Sequence, residues 1–167
     1  RSAHPPAAAT AAVVCATLRP DRLTSVVANV ARQRDVDLEL VVVTNSDGFD
    51  DAALDTVRRS LDRCTVVAMP PEATLGECLN AGMAATEERF VAKMDDDDLY
   101  GDHYLVDALR AHGYAGAAVV GKHTYYADLV PPGHRYLRFP GNEFRYSGTL
   151  AGGTLLIDRE RTGDLQF

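Results

Sequence analysis

Apolar runs and helical stripes take turns along the chain from Ala11 to Val120. Ala11 to Leu18 is a short continuous apolar run, predicting a strand covered on both faces. Arg19-Pro20-Asp21 breaks it, and Pro20 suits a first helical turn. Leu23, Val26, Val27, Val30 and Ala31 then recur at helical spacing, which predicts an amphipathic helix over Asp21 to Arg34. The pattern repeats twice. Strand Leu38 to Thr44 runs into the turn residues Asn45-Ser46-Asp47-Gly48 and a helix over Asp51 to Leu61. Strand Cys64 to Met69 runs into Pro70-Pro71 and a helix over Leu75 to Ala85. Thr74 and Glu77 hold the capping-box positions of that helix, and Leu75, Leu79, Gly82 and Met83 are expected to face the sheet.

Phe90 to Met94 is the next strand, and it ends in four consecutive carboxylates, Asp95 to Asp98. Asp102 is placed to cap a helix that Gly113 stops near His112. Ala117 to Val120 forms a further short strand. The pattern changes after Gly121. Thr124 to Tyr126, Arg135 to Phe139 and Phe144 to Tyr146 are short aromatic segments separated by Pro131-Pro132-Gly133 and Pro140-Gly141-Asn142. They predict antiparallel strands and loops over one end of the sheet. Thr154 to Ile157 returns as a strand, and Asp158 to Arg161 begins a helix.

This alternation predicts an α/β fold: a Rossmann-like, mostly parallel sheet with flanking helices, plus a small antiparallel segment. Such sheets bind ligands outside the carboxyl ends of their strands. Thr17 to Arg19, Asn45 to Asp47 and Asp95 to Asp98 all fall at those ends. Adjacent carboxylates repel one another unless positive charge lies among them. Oxygen-only ligands of this kind suit a hard divalent ion such as Mg²⁺ or Mn²⁺, able to hold a diphosphate. A solvated acidic loop or a helix N-terminus gives the same local pattern. Lys93, inside a central strand, is costly to bury unless it pairs with the acidic run.

A chain of 167 residues with 46% hydrophobic and 25% charged residues suits one domain. A net charge of −7 without a basic cluster speaks against nucleic acid as the main partner. It does not exclude a single nucleotide held through a cation. Cys15, Cys64 and Cys78 form no Cys-x-x-Cys pair. Cys15 and Cys64 read as small core residues, and a reducing, cytoplasmic setting fits. No apolar run approaches membrane-spanning length. The Ala- and Pro-rich start, Arg1 to Ala12, is too broken for a signal peptide. The absence of an initial Met suggests a processed protein or a domain cut from a longer one.

Taken in order, these residues resemble the nucleotide-sugar glycosyltransferases of family 2, which have a GT-A fold. The matching pieces are Ala16-Thr17-Leu18-Arg19-Pro20, Val43-Thr44-Asn45-Ser46-Asp47-Gly48, Leu79-Asn80-Ala81-Gly82, Asp95-Asp96-Asp97-Asp98 and Gly152-Gly153-Thr154-Leu155-Leu156-Ile157. The resemblance implies metal ligation by Asp97, with Asp95 binding the ribose directly or the ion through water. It implies contacts from Thr17 and Arg19 to the nucleoside and phosphate, and from Asp47 to the base or ribose. Asn80, Lys93 and Asp96 join the nucleotide-sugar-binding set. Asp98 is expected to act from behind the ion or to meet the sugar; capping a helix is the simpler alternative. Residues 10–120 would form the nucleotide-binding half, and 121–167 part of the acceptor side.

The sequence departs from the family pattern in three places. Asn45 stands where Asp is common, and Leu79 stands where the family has Arg. After Ile157 the chain offers Asp158, Glu160 and Asp164, none matching the family's catalytic base, so the domain is expected to be incomplete at its C-terminal end. The expected function is metal-dependent, inverting transfer of a sugar from a nucleoside-diphosphate sugar, UDP favoured, to a glycan or small-molecule hydroxyl. Two alternatives stand beside it. One is a nucleotide- and metal-binding module without catalysis. The other is a nucleotidyltransferase, disfavoured because no Gly-rich loop follows the first strand.

Overall fold

The computed structural model describes residues 9–129, 131 and 133–167. Most of the Ala- and Pro-rich start, and Pro132 of the predicted Pro-Pro-Gly turn, lie outside the described residues. Among the described residues eight strands and five helices follow one another: β1 Ala9–Thr17, α1 Leu23–Ala31, β2 Val36–Thr44, α2 Asp51–Arg58, β3 Cys64–Ala68, α3 Leu75–Ala84, β4 Phe90–Lys93, α4 Tyr104–Ala115, β5 Val119–Val120, β6 Tyr125–Leu129, β7 His134–Arg138, β8 Leu156–Asp158 and α5 Arg159–Thr162.

Six strands form one sheet in the order β3-β2-β1-β4-β8-β5. β1 pairs in parallel with β2 and with β4, and β2 with β3. β8 runs antiparallel between β4 and β5, so β5 joins the sheet only through an antiparallel neighbour. The strand order reverses between β1 and β4, because β2 and β3 lie on one side and β4 on the other. That reversal opens the crevice in which α/β sheets bind ligands.

Side chains alternate across the sheet into two layers. Val13, Cys15, Leu40, Val42 and Ala92 pack with Leu23, Val26 and Val30 of α1, Leu54 and Val57 of α2, and Leu105 and Ala108 of α4. Ala12, Val14, Val41, Val43 and Val91 face α3 through Cys78 and Leu79. Both faces of β1 and β2 are covered, which explains why these strands are continuously apolar.

Several boundaries differ from the pattern reading. A 3₁₀ turn, Pro20–Arg22, precedes α1, which ends at Ala31. The Thr74–Glu77 capping box forms as expected, but Leu75 is 59% exposed and does not face the sheet. His103, not Asp102 or Asp98, precedes α4, and no side chain caps it. Gly113 stays inside α4, which runs one turn further to Gly116 in the left-handed region at φ 63°. That conformation suits glycine and closes the helix better than Gly113 could. Phe144 to Tyr146 form no strand, while β6 and β7 form the antiparallel hairpin. Gly152–Thr154 is a 3₁₀ turn, and the strand after it begins at Leu156 and includes Asp158. Cys64 is only partly buried, and all three cysteines are free thiols. Among the described residues no helix is long and apolar enough to cross a membrane.

Candidate functional site

The register of the central strands assembles the site. β4 lies beside β1 with Lys93 opposite Val14. Counting on, Asp96 arrives opposite Thr17, at the carboxyl end of β1. Thr17 is 3% exposed and donates its hydroxyl to Asp96 Oδ2. Arg19, just beyond, donates Nε to the same oxygen at 3.0 Å and Nη2 to Asp96 Oδ1. Burial opposes ionisation of Asp96, but these bonds from Arg19 and Thr17 outweigh it and hold its carboxyl below the usual range. The bonds that Arg19 donates to Asp96, and then to Asp97, raise its own pKa. Arg19 Nη2 also lies 3.0 Å from Asp97 Oδ2. The Asp97 side chain is 53% exposed, whereas that of Asp96 is 7% exposed. Asp96 is therefore committed to the protein, and Asp97 faces the solvent edge.

Successive residues point to opposite sides as the chain leaves β4. The chain then turns at Asp96 and Asp97, which returns Asp98 to the side of Asp95, and these two form a second group. The Lys93 ammonium, almost fully buried, bonds Asp95 Oδ1, which offsets the cost of burying it. Gly153 lies against both carboxylates. A methyl group added there would stand 2.6 Å from Asp95 Oδ2 and 2.6 Å from Asp98 Oδ2. Two hard oxygens thus face a gap that any side chain would fill. Burial raises the Asp98 pKa, and the charges of Asp95 and Asp97 raise it further. Negative charge here exceeds what Lys93 supplies.

Residues that the pattern reading passed over hold the acidic loop in place. Tyr100 Oη accepts from the Asp95 amide at 2.8 Å and donates to the Gly153 carbonyl at 2.6 Å. Asn29, 2% exposed on α1, donates to the Asp98 carbonyl at 2.8 Å and accepts from the Tyr100 amide. An asparagine on the apolar stripe of α1 was the available signal, since a buried amide requires partners. Tyr100 closes the same acidic run two residues after Asp98.

The remaining predicted residues are spread out. Asp47 is exposed in the turn after β2, on the same edge. That turn is tied to the β1 loop by the Ser46 hydroxyl, which donates to the Leu18 carbonyl at 3.1 Å. Asn80 is not brought to the acidic run. On α3, it accepts from the Phe167 amide at 2.9 Å. Its neighbour Gly82 explains the Leu79-Asn80-Ala81-Gly82 pattern, since a methyl there would stand 2.5 Å from Val14 Cγ1.

Asp158 and Glu160 sit at the opposite end of β4, where Asp158 pairs with Phe90. Asp158 is fully buried, bonded by Arg89 at 2.9 and 2.7 Å and 3.0 Å from His112 Nε2. The bonds from Arg89 pull its pKa down to about 2. Glu160 also pairs with Arg89, at 2.7 Å. Both carboxylates lock β8 to β4 and stand away from the acidic run. Asp164 is exposed.

Hard oxygen donors, a gap at Gly153 and excess negative charge suit a divalent cation. Among the described residues no three His, Cys, Asp or Glu side chains converge as a ready-made metal site. Asp97, 53% exposed, is turned toward Arg19.

The fold matches solved structures of glycosyltransferases. It matches a mannosyltransferase from Pyrobaculum calidifontis, solved with GDP-Man and Mn²⁺, with a TM-score of 0.65 and 17% identity over 92% of this chain and 46% of that one. It matches S. aureus TarS 1-349 with a TM-score of 0.67 and 16% identity, over 95% of this chain and 50% of that one. The same protein in complex with UDP-GlcNAc matches at 24% identity with a TM-score of 0.55, over 66% of this chain and 33% of that one. The chain thus spans half or less of the length of these proteins. A comparison with curated proteins finds no match. The model of Glycosyl transferase family 2 matches residues 11–161, from β1 through the first residues of α5. By that match the chain belongs to Glycosyl transferase family 2, in a GT-A fold whose acidic run lies at the reversal of strand order.

Proposed function

We propose that this protein transfers a sugar from a nucleoside-diphosphate sugar to an acceptor hydroxyl, with inversion, in the presence of Mn²⁺ or Mg²⁺. One observation carries the reading: a family 2 chain places the acidic run beside Thr17 and Arg19, in the crevice where the strand order reverses. The neighbours' complexes with GDP-Man, UDP and UDP-GlcNAc support a nucleotide-sugar donor of either base.

In this reading Asp97 and Asp95 hold the cation, with Asp98 adjoining. The ion would supply Lewis-acid charge to the diphosphate as it leaves. Arg19 is placed to swing from Asp97 to a phosphate oxygen, because its charge persists at all working pH values and its planar fork suits phosphate. Asp96 acts as a positioning residue, fixing Arg19 and the hydroxyl of Thr17. Lys93 neutralises Asp95 from beneath and keeps the loop from opening by self-repulsion. Asp47 borders the nucleoside side of the crevice. Asn80 takes a structural role on α3 in place of a donor contact.

Transfer also needs a base to take the acceptor proton, typically worth ~10²–10⁴ in rate. Asp158 and Glu160 are excluded by position, and the role is assigned to no residue here. The test is a thermal-shift screen of UDP-, GDP- and other nucleotide-sugars with Mn²⁺. The reading expects at least one donor to raise the melting temperature in Mn²⁺ and to lose that effect in EDTA. Shifts for no donor would count against it.

A further inference from the structure

The hairpin region has a charge and surface character unlike the rest of the chain. Between Gly121 and Leu150 the cations Lys122, Arg135, Arg138 and Arg145 meet only Asp128 and Glu143, so this stretch is net positive in a chain of net charge −7. It is also aromatic and uncovered: Phe144 is 95% exposed, and Phe139 is 46% exposed. Both hold positive φ, 50° at Phe139 and 54° at Phe144. Bulky residues rarely adopt that conformation, and such outliers cluster where a surface must hold a set shape for a ligand.

The hairpin contains one completed recognition unit and one incomplete copy. Arg135 lies over the Tyr126 ring at 5.9 Å and grips the Asp128 carboxylate with two bonds of 2.6 and 2.8 Å. Arg138 stacks over the Phe139 ring at 4.9 Å, closer than its counterpart. Among the described residues no carboxylate completes it. Stacking leaves the edge of a guanidinium free, and that edge suits a planar carboxylate. Among the described residues Arg145 reaches only Asn142, at 3.5 Å, and Lys122 lies over the Tyr104 ring. His123 meets Phe139 edge to face at 5.2 Å, extending the aromatic surface.

This surface is rooted at the acidic site. The Lys122 amide donates to Thr154 Oγ1 at 2.8 Å, and its carbonyl accepts from the Ala151 amide at 2.8 Å. Between these residues lies Gly153, against Asp95 and Asp98. An acceptor resting on the hairpin would therefore enter the crevice from the side of Asp98.

We propose that the Arg138–Phe139 face of the hairpin, with Arg145, is a binding surface for an acidic oligosaccharide acceptor whose uronate carboxylates pair with these arginines. The inference rests on the glycosyltransferase reading for the word acceptor, and on charge and stacking for the chemistry. A neutral glycan would leave the Arg138 edge to water and Arg145 with Asn142 alone. A carboxylated one completes at Arg138 the arrangement already present at Arg135.

The test measures binding of tri-galacturonate, and of its fully methyl-esterified form, to the 167-residue chain by NMR titration. UDP with Mn²⁺ is titrated on the same samples. The expected result is binding of the acid, with the ester at least about tenfold weaker. Arg138→Ala and Arg145→Ala should each weaken the acid about fivefold to tenfold, a size set by one charge-assisted pair. Arg138→Lys should fall between wild type and alanine. Equal binding of acid and ester, or unchanged binding in both alanine variants, would overturn the proposal. So would tighter binding of a phosphodiester-linked glycerol oligomer, or of vesicles containing phosphatidylserine, than of the uronate. UDP binding that survives while the acid fails to bind counts against this surface alone. Acid binding without UDP binding counts against the nucleotide-sugar reading alone.

Discussion

Replacing Gly82 by alanine is expected to destabilise the protein, although Gly82 lies inside α3, where alanine is the better helix former. Two effects compete. Removing a glycine from a helix interior favours folding by roughly 0.5–1 kcal/mol. Against this, the new Cβ would stand 2.5 Å from Val14 Cγ1 and 2.9 Å from Val43 Cγ2. Both valines are buried on the central strands β1 and β2, at 1% and 0% exposure. Their χ1 angles are stiff, so neither can turn away freely. α3 must then lift by about 1 Å to restore ordinary carbon contacts, and overpacking of this kind costs roughly 1–3 kcal/mol. The packing penalty wins, for a net loss of about 1–2 kcal/mol. Gly113 is the internal control. It lies in α4 with nothing within 4 Å of an added Cβ. There only the helix preference acts, and Gly113→Ala should gain roughly 0.5–1 kcal/mol. Urea denaturation of both variants at neutral pH reads the two signs directly, provided the m-values match. The reasoning is refuted if Gly82→Ala matches or exceeds wild-type stability, or if the two variants shift in the same direction.

Lys93→Met should raise the Asp98 pKa further, because Lys93 is the cation that currently lowers it; identical carboxylate titrations by NMR in the two proteins would show that Lys93 is electrically irrelevant. Asp158, with a folded pKa of about 2 against an ordinary 3.8, contributes stability that is present above pH 3.8 and is lost as pH falls towards 2. Asp158→Asn should remove that acid-side slope and destabilise the protein by about 1–2 kcal/mol at neutral pH, less than for a fully buried pair because Arg89 is 42% exposed; an unchanged stability–pH profile would contradict this. Asn29→Ala should loosen the acidic loop by removing bonds to Asp98 and Tyr100, seen as faster amide exchange at Tyr100 with α1 otherwise intact; unaltered exchange would remove Asn29 from the account.

Much of the parallel half of the fold was legible because it obeys simple periodicities. Continuous apolar runs at β1 and β2 signalled two-sided burial, and the Thr74–Glu77 spacing signalled the start of α3. The acidic run and Thr17 were legible together because both end strands. The direction of β8 was not, since a three-residue apolar strand carries no mark of its orientation. Nor could spacing show that Asp96 turns inward to Thr17 and Arg19 while Asp97 turns outward, because that depends on register between strands distant in sequence. In the Leu79-Asn80-Ala81-Gly82 motif, spacing could not show that the glycine answers to a close approach of α3 to Val14 and Val43. Asn29 and Gly153 stayed hidden because each acts through a long-range contact with the acidic loop. The end of α4 offers two glycines, Gly113 and Gly116, that the sequence does not tell apart; only Gly116 of the two has the left-handed backbone that stops a helix.

The central claim is that the acidic edge binds a nucleoside diphosphate through a divalent cation held by Asp97. Isothermal titration of UDP and of GDP into the wild-type chain and into Asp97→Ala, each with Mn²⁺ and with EDTA, tests it most directly. Asp97 is half exposed and its ion pair is with Arg19, so the variant is expected to fold normally, which circular dichroism checks. The account predicts that one of the nucleotides binds the wild type in Mn²⁺, that EDTA abolishes the binding, and that Asp97→Ala abolishes it as well. Equal affinity of wild type and Asp97→Ala in Mn²⁺ would contradict the account.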